Sequence, residues 1–194
     1  GSMSGIPMYV SIAMGILISE LADPAWANQF ITFSSAPLWH KLNPTYNLCK
    51  KVASAKEADW GLSTDFELVM RLIIRTCQKQ KVSHEKIRDV KLLVFSDMQF
   101  DESLERGDSF ETKYERIQDM WKSAGFVDED DRAIVPRIVF WNLRGDTLDF
   151  PADAQQVGVD MMSGFSPFAL KLFMDGVDMT TGPYMGLRMV LDDV

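Results

Sequence analysis

Residues 90–101 read VKLLVFSDMQFD, and this stretch decides which fold we expect. Residues 90–95 form a short apolar run, which is typical of a strand buried on both faces of a parallel sheet. Asp97 follows the run after a single serine, so polar side chains stand where the strand ends. Residues 137–141 and 158–162 have the same character and predict two further buried strands.

Apolar residues at helical spacing lie on both sides of this strand. The set before it is Phe66, Val69, Met70, Ile73 and Cys77, and the set after it is Tyr114, Ile117, Trp121 and Ala124. Strands that alternate with helices over this length predict an α/β fold with a doubly wound, mainly parallel sheet and helices on both faces. Ligands of such folds bind outside the carboxyl ends of the strands, so the residues that follow each strand are the first candidates for a site.

The ends of the chain add further predicted elements. Residues 6–21 read as a helix that is apolar nearly all round, so we expect it to lie deep in the fold. Residues 29–33 and 38–42 are short strand candidates, joined by a turn that would let them pair as a hairpin. Residues 46–55 look helical, and a Ser-Pro pair begins a predicted helix over 166–174.

The composition is that of an ordinary globular domain. With 194 residues, 46% hydrophobic and 25% charged, the chain is expected to form one domain over residues 1–194, of which 180–194 are a C-terminal tail. A net charge of −8 repels phosphate backbones, which argues against a nucleic-acid partner. The apolar stretch at 9–21 is too short and too interrupted to span a membrane.

Cysteine usage favours a reducing, cytoplasmic location. The chain has two cysteines, Cys49 and Cys77, no paired-cysteine motif and no secretory signal. Both cysteines are expected to be small core residues. His40 is expected in a strand and His84 in a polar connector, and neither belongs to a motif for nucleophilic catalysis.

Three polar segments stand at the ends of predicted elements. Residues 1–5 precede the first helix, residues 60–65 open the helix that contains Phe66, and residues 95–101 leave the central strand. Hydroxyl groups from two segments and a carboxylate from the third would form a hard, oxygen-only ligand set. Magnesium prefers such a set, in which it keeps waters and leaves a position for the carboxylate of a partner.

The order of these segments resembles the metal-ion-dependent adhesion site, or MIDAS, of von Willebrand factor A domains. That family has an Asp-x-Ser-x-Ser motif after its first strand, a threonine in a later loop and an aspartate after its fourth strand. The chain also resembles the uncharacterised DUF2828 family. The pieces that carry this resemblance lie at 60–66, 95–101, 140–144 and 163–166, and together they span most of the chain.

The resemblance implies a Rossmann-like fold and assigns metal-site residues by position. Ser2 matches the last serine of the first motif, Thr64 the loop threonine and Asp97 the late aspartate, with Ser4 and Asp101 as further candidates. The motif's aspartate, its first serine and the central first strand would all lie before residue 1. We therefore expect this polypeptide to bind Mg²⁺ weakly or not at all. The chain could close the gap in the sheet directly, fill it with its tail or borrow a strand from a second copy, and we expect it to self-associate.

The function that the resemblance implies is protein binding rather than catalysis. The chain would be a scaffold or adapter that meets another protein through the carboxyl-end face of its sheet, with Trp141 and Arg144 as candidate contacts. Each assignment has a structural alternative. Thr64 could simply cap the next helix, with Glu67 completing a capping box. Asp97 could be a turn residue, and Trp141 and Arg144 could be a core residue and a surface charge.

Two other functions stay open at this point. Asp97 and Asp101 could be the paired carboxylates of a metal-dependent phosphatase or nuclease, although no nucleophile and base stand beside them. The chain could also be a structural subunit of a ribonucleoprotein, because some Ro-type RNA-binding proteins carry a von Willebrand factor A domain. No RNA-binding module is evident in this sequence.

Overall fold

The computed structural model describes residues 5–61, 65–96, 110–143 and 158–163. The elements in chain order are α1 (Ile6–Leu21), β1 (Gln29–Ile31), β2 (Trp39–Lys41), α2 (Leu48–Lys56), α3 (Phe66–Gln80), α4 (His84–Asp89), β3 (Lys91–Ser96), α5 (Phe110–Ser123), β4 (Arg137–Asn142) and β5 (Val159–Ser163). These helices and strands, which include a three-stranded parallel sheet, agree with the predicted α/β class. The helix predicted at 166–174 and the tail at 180–194 lie outside the described residues, so the one-domain prediction and the doubly wound arrangement stay predictions.

A parallel three-stranded sheet forms the centre of the described fold. Its order is β3-β4-β5, and Val94 pairs with Phe140, which in turn pairs with Met161. The three strands predicted from the sequence match the observed strands to within one residue at each end. Ile138, Val139, Phe140 and Trp141 of β4 are completely buried, because β4 has a strand on each side. Each such side chain contributes roughly 1.5–3 kcal/mol by leaving water.

Helices α3 and α5 cover one face of this sheet. Their buried residues form one core cluster with Val94, Ile138 and Phe140. Helix α3 begins at its N-cap Asp65, and it ends where Lys81 adopts a left-handed conformation, with φ of 53°. Trp121 of α5 is completely buried in this cluster, so the periodicity that predicted both helices also identified the faces that they bury.

The predicted hairpin is present and lies between helices. Strands β1 and β2 pair antiparallel, with Phe30 opposite His40. Phe30 packs in a small cluster with residues of α1 and α2, whereas Ile31 and Trp39 pack against the main core. The Trp39 indole Nε1 donates a hydrogen bond of 2.8 Å to Thr76 Oγ1 of α3. Helix α3 therefore supports both the hairpin and the parallel sheet.

Helix α1 has the predicted bounds but not the predicted burial. The expectation that it lies deep in the fold is wrong, because Ile6, Tyr9, Leu17 and Leu21 are 42–69% exposed. Its buried residues are Ser11, Ile12, Ile16 and Ser19. The helix contacts α2 and β1 through this one face. Within the described segments, no helix is long and apolar enough to cross a membrane.

Two smaller predictions are corrected by the described residues. His84 is the first residue of α4 rather than part of a connector, and the Ser83 side chain caps that helix by accepting from Lys86 N. Cys77 is a buried core residue as expected, but Cys49 is exposed on α2, and neither forms a disulfide. Burial raises the pKa of the Cys77 thiol to about 11. Cys49 lies outside the core because the buried face of α2 consists of Lys51 and Ala55.

Candidate binding site at the carboxyl end of the parallel sheet

The three parallel strands end in a row of neutral polar residues. Ser96 of β3 pairs in register with Asn142 of β4, and Asn142 pairs with Ser163 of β5. Ser96 is 6% exposed and Asn142 only 1% exposed. Buried polar groups are costly unless they are hydrogen-bonded, so two of them side by side at the end of an apolar sheet are unusual. We call Ser96, Asn142 and Ser163 the polar row.

The row lies where the chain leaves the sheet. The backbone N–H of Leu143 donates to the carbonyl oxygen of Ser96 at 2.9 Å, which extends the pairing of β3 and β4 past the last strand residue. Leu143 itself is completely buried. The segments that follow β3 and β4 therefore start from fixed, solvent-shielded positions.

The beginning of α3 is close to the same strand. The Phe66 ring lies 5.6 Å from the Phe140 ring, two residues before Asn142, and 6.4 Å from the ring of Phe33. Aromatic pairs at this separation fix both position and angle. The start of a helix carries partial positive charge, and this packing places that charge near the carboxyl end of β4.

The N-cap of α3 differs from the predicted one. One Asp65 carboxylate oxygen accepts from the backbone N–H groups of Glu67 at 3.0 Å and Leu68 at 3.2 Å. The Glu67 carboxylate is 3.6 Å from Arg116 of α5. The prediction that Thr64 caps the helix in a box with Glu67 is therefore wrong. A carboxylate accepts two N–H groups at the positive end of the helix more favourably than a neutral hydroxyl does.

A glycine allows the segment before α3 to approach the hairpin closely. A side-chain Cβ at Gly61 would lie 2.5 Å from the Cα of Ser34 and 3.0 Å from the carbonyl oxygen of Phe33. Backbone atoms cannot yield at such distances, so only glycine fits here. The Trp60 indole donates to the Ala55 carbonyl at 2.9 Å and fixes the same segment on α2.

None of the metal-site residues assigned from the sequence has a described position. Ser2, Ser4, Thr64, Asp97 and Asp101 lie outside the described residues, as does the candidate partner contact Arg144. In the part of the chain that is described, no three His, Cys, Asp or Glu side chains are grouped so that they could hold a metal ion. The Mg²⁺ site therefore stays a prediction. Sequence reasoning passed over Asn142, although it is the first polar residue after the apolar run of β4.

Trp141 is described, and it is a core residue. Its side chain is completely buried, and its ring lies 5.9 Å from that of Phe95 on the neighbouring strand. It therefore offers no surface to a partner in this state, which agrees with the structural alternative rather than with a contact role. Its burial follows from the central position of β4 in the sheet.

Comparison with known proteins identifies the family. The model of a family described as a domain of unknown function, DUF7788, matches residues 1–185. The chain belongs to this family. The resemblance to DUF2828 and to von Willebrand factor A domains stays an interpretation of the motifs. No solved structure matches the chain.

A viral protein is also similar to this chain. An uncharacterised protein of Acanthamoeba polyphaga mimivirus is 35% identical over 176 residues, which cover 90% of this chain. Those residues are 29% of the viral protein, so the chain spans less than a third of that relative's length. Any activity of the whole viral protein would therefore reach this chain only as a proposal.

Proposed function

We propose that this chain is a protein-binding domain of the von Willebrand factor A type, and that its partner docks at the carboxyl end of the parallel sheet. The observation that carries the proposal is the polar row. A parallel sheet that ends in buried Ser96 and Asn142 anchors the segments that follow it. In open α/β folds, ligands bind outside this end of the strands.

The chemistry of the polar row favours recognition over catalysis. Hydroxyl and amide groups at pH 7 neither take up nor release protons, so the row supplies no general acid or base. The burial of Ser96 and Asn142 suits the role of holding the segments that start at Asp97 and Leu143. In this proposal those segments meet the partner, and Asp97 supplies the negative charge that the row lacks.

Magnesium is the ion that the resemblance implies, and the described donors fit it only in part. Oxygen donors are the right type for Mg²⁺, but Ser96 and Asn142 are neutral and shielded from solvent. We propose that any Mg²⁺ at this end depends on Asp97 and on a carboxylate of the partner. Binding to the chain alone would then be weak, with a dissociation constant of about 1 mM or above.

Titration calorimetry tests the metal part of the proposal. The wild-type chain should show Mg²⁺ binding no tighter than about 1 mM, and Asp97→Ala should remove what binding there is. Glu129→Ala is the matched control, because Glu129 is an exposed carboxylate in the loop between α5 and β4. Tight, stoichiometric binding to the wild-type chain, or equal loss in both variants, would contradict the proposed site.

Affinity capture from the cells that express the chain tests the docking face. We expect the Glu129→Ala chain to retain the proteins that the wild type retains, and the Asp97→Ala chain to lose them. Capture that is the same for all three chains would place the docking face elsewhere. Hydrolysis of a phosphate ester or of RNA with Mg²⁺ that is lost in Asp97→Ala would replace the binding proposal with the hydrolase alternative.

A further inference from the structure

A second recognition feature lies between α3 and α5. The two helices line an open groove of about 440 Å³. This volume falls in the range of roughly 300–1,000 Å³ that is usual for ligand sites. The groove shares no residue with the polar row, so its occupancy can be tested separately from the proposed function.

The floor of the groove is apolar. It contains Ile74 of α3 and Met120 of α5, with Ala124 at one end. Ile74 is buried, whereas Met120 and Ala124 are half-buried. Gln78 Nε2 donates to the carbonyl oxygen of Ala124 at 3.1 Å and joins the two helices at this end. Methionine adapts its shape to what it contacts, so the floor can accept an apolar side chain of either branched or aromatic form.

One wall of the groove is basic. Arg71 and Arg75 of α3 are exposed and line it. Among the described residues neither guanidinium makes an ion pair, whereas nearby Arg116 contacts Glu67 and Lys122 contacts Asp131. Two exposed arginines one helical turn apart, neither in an ion pair with a described residue, are unusual in a chain whose net charge is −8.

The spacing of the two arginines suits a pair of carboxylates. Residues four apart on a helix have Cβ atoms about 6 Å apart. Acidic residues at positions i and i+2 of an extended segment are roughly 6.5 Å apart and point the same way. Arginine forms bidentate hydrogen bonds with carboxylates. Asp119 lines the opposite side of the groove. Its negative charge repels acidic groups and therefore favours their placement against α3.

We propose that this groove, lined by Arg71, Arg75, Ile74 and Met120, docks a short acidic segment of a partner protein. Two carboxylates contact the arginines, and one apolar side chain of the segment covers the floor. A free inorganic anion would leave Ile74 and Met120 uncovered. A nucleic acid would bring a phosphate charge at every nucleotide to a chain whose net charge is −8, so its repulsion exceeds that of a short segment with two carboxylates.

Nuclear magnetic resonance titration with a defined peptide tests this proposal. The probe is a glycine-flanked Glu-Leu-Glu-Leu peptide, and its matched control carries lysine in place of both glutamates. We expect the acidic peptide to shift amide signals of α3 and α5 in a saturable way. The lysine peptide should leave those signals unchanged.

Charge reversal makes the test specific. The double variant Arg71→Glu with Arg75→Glu should lose about tenfold in affinity for the acidic peptide and should gain binding of the lysine peptide. Lys79→Glu with Lys81→Glu alters net charge by the same amount at the end of the same helix, and it should keep wild-type preference. Circular dichroism checks that both variants fold.

Several results would overturn the proposal. The acidic peptide could fail to saturate, could shift signals outside α3 and α5, or could lose equal affinity in both double variants. Sedimentation velocity tests whether a second copy of the chain occupies the groove instead. Self-association that the Arg71→Glu, Arg75→Glu variant abolishes would mean that a second copy, not a partner segment, occupies the groove.

Discussion

Replacing Glu20 by glutamine is expected to destabilise the domain, because the substitution leaves the buried ammonium group of Lys51 without its counter-charge. Lys51 Nζ of α2 lies 2.6 Å from Glu20 Oε1 of α1. The Lys51 side chain is only 7% exposed, whereas that of Glu20 is 41% exposed. The pair therefore joins two helices at a place where water reaches one partner and hardly reaches the other.

The exposure of Glu20 limits the size of the effect. Breaking a fully buried ion pair costs about 3–5 kcal/mol, and exposed pairs are worth about 0.2–1 kcal/mol. Glutamine keeps an oxygen that can accept the lysine hydrogen bond. We therefore expect Glu20→Gln to lower the free energy of unfolding by about 1–3 kcal/mol. For a domain of this size that corresponds to a fall in Tm of roughly 2–12 °C.

A matched variant separates the ion pair from simple packing. Lys51→Met keeps an unbranched side chain, one heavy atom shorter, and removes the charge. The free energy of unfolding in urea should therefore differ from that of the wild type by less than about 1 kcal/mol. Adding Glu20→Gln to Lys51→Met should then cost almost nothing further. Equal destabilisation by Glu20→Gln with and without Lys51→Met, or no effect of Glu20→Gln alone, would refute the reasoning.

Two further predictions concern glycine and cysteine positions. Gly61→Ala should lower the free energy of unfolding by about 1–3 kcal/mol, since the new Cβ would lie 2.5 Å from the Cα of Ser34. Gly15→Ala, in α1 with open space around it, should raise stability by about 0.5–1 kcal/mol; both are read from thermal unfolding, and a reversed order would contradict the contact. Exposed Cys49 should react with a thiol reagent at neutral pH while Cys77 reacts only on unfolding. The pKa of Cys77 rises from 9.0 to about 11 on folding. The neutral thiol should therefore contribute fully to the free energy of unfolding below pH 9.0, and this contribution should be lost as pH rises through about 11. A Cys77→Ala chain should not show this loss of stability at high pH.

Sequence patterns were sufficient where one periodicity dominated. Helix α3 repeats its apolar residues at helical spacing on a polar background, so its buried face followed directly from the sequence. Strands β3 and β4 were recognisable because continuous apolar runs of that length suit a sheet covered on both faces. The hairpin followed from two short strands and a turn.

Sequence patterns did not predict packing where the apolar residues favoured no single face of a helix. Helix α1 is apolar on nearly every side, so its sequence cannot say which face packs, and tertiary contacts alone select Ile12 and Ile16. Helix α4 has only six residues, too few for a periodicity to show, and the Ser83 cap was the one available signal. Asp65 competes with Thr64 for the cap of α3, and only the backbone geometry decides between adjacent candidates.

The candidate binding sites could also be predicted from the sequence only in part. The location at the carboxyl ends of the strands followed from the α/β pattern. Ser96 and Asn142 stand directly after the apolar runs of β3 and β4 in the sequence. The groove between α3 and α5 was not foreseen, because Arg71 and Met120 are 49 positions apart in sequence and meet only when the helices pack.

Photo-crosslinking from position 98, next to Asp97, tests the central claim most directly. A benzophenone amino acid replaces Met98 in one chain, which keeps the Asp97 carboxylate, and Glu129 in another. Both chains are irradiated in cells that express the partner, and we expect covalent adducts with a partner protein from position 98 and none from position 129. Adducts from position 129 with none from position 98 would contradict docking at the carboxyl end of the sheet.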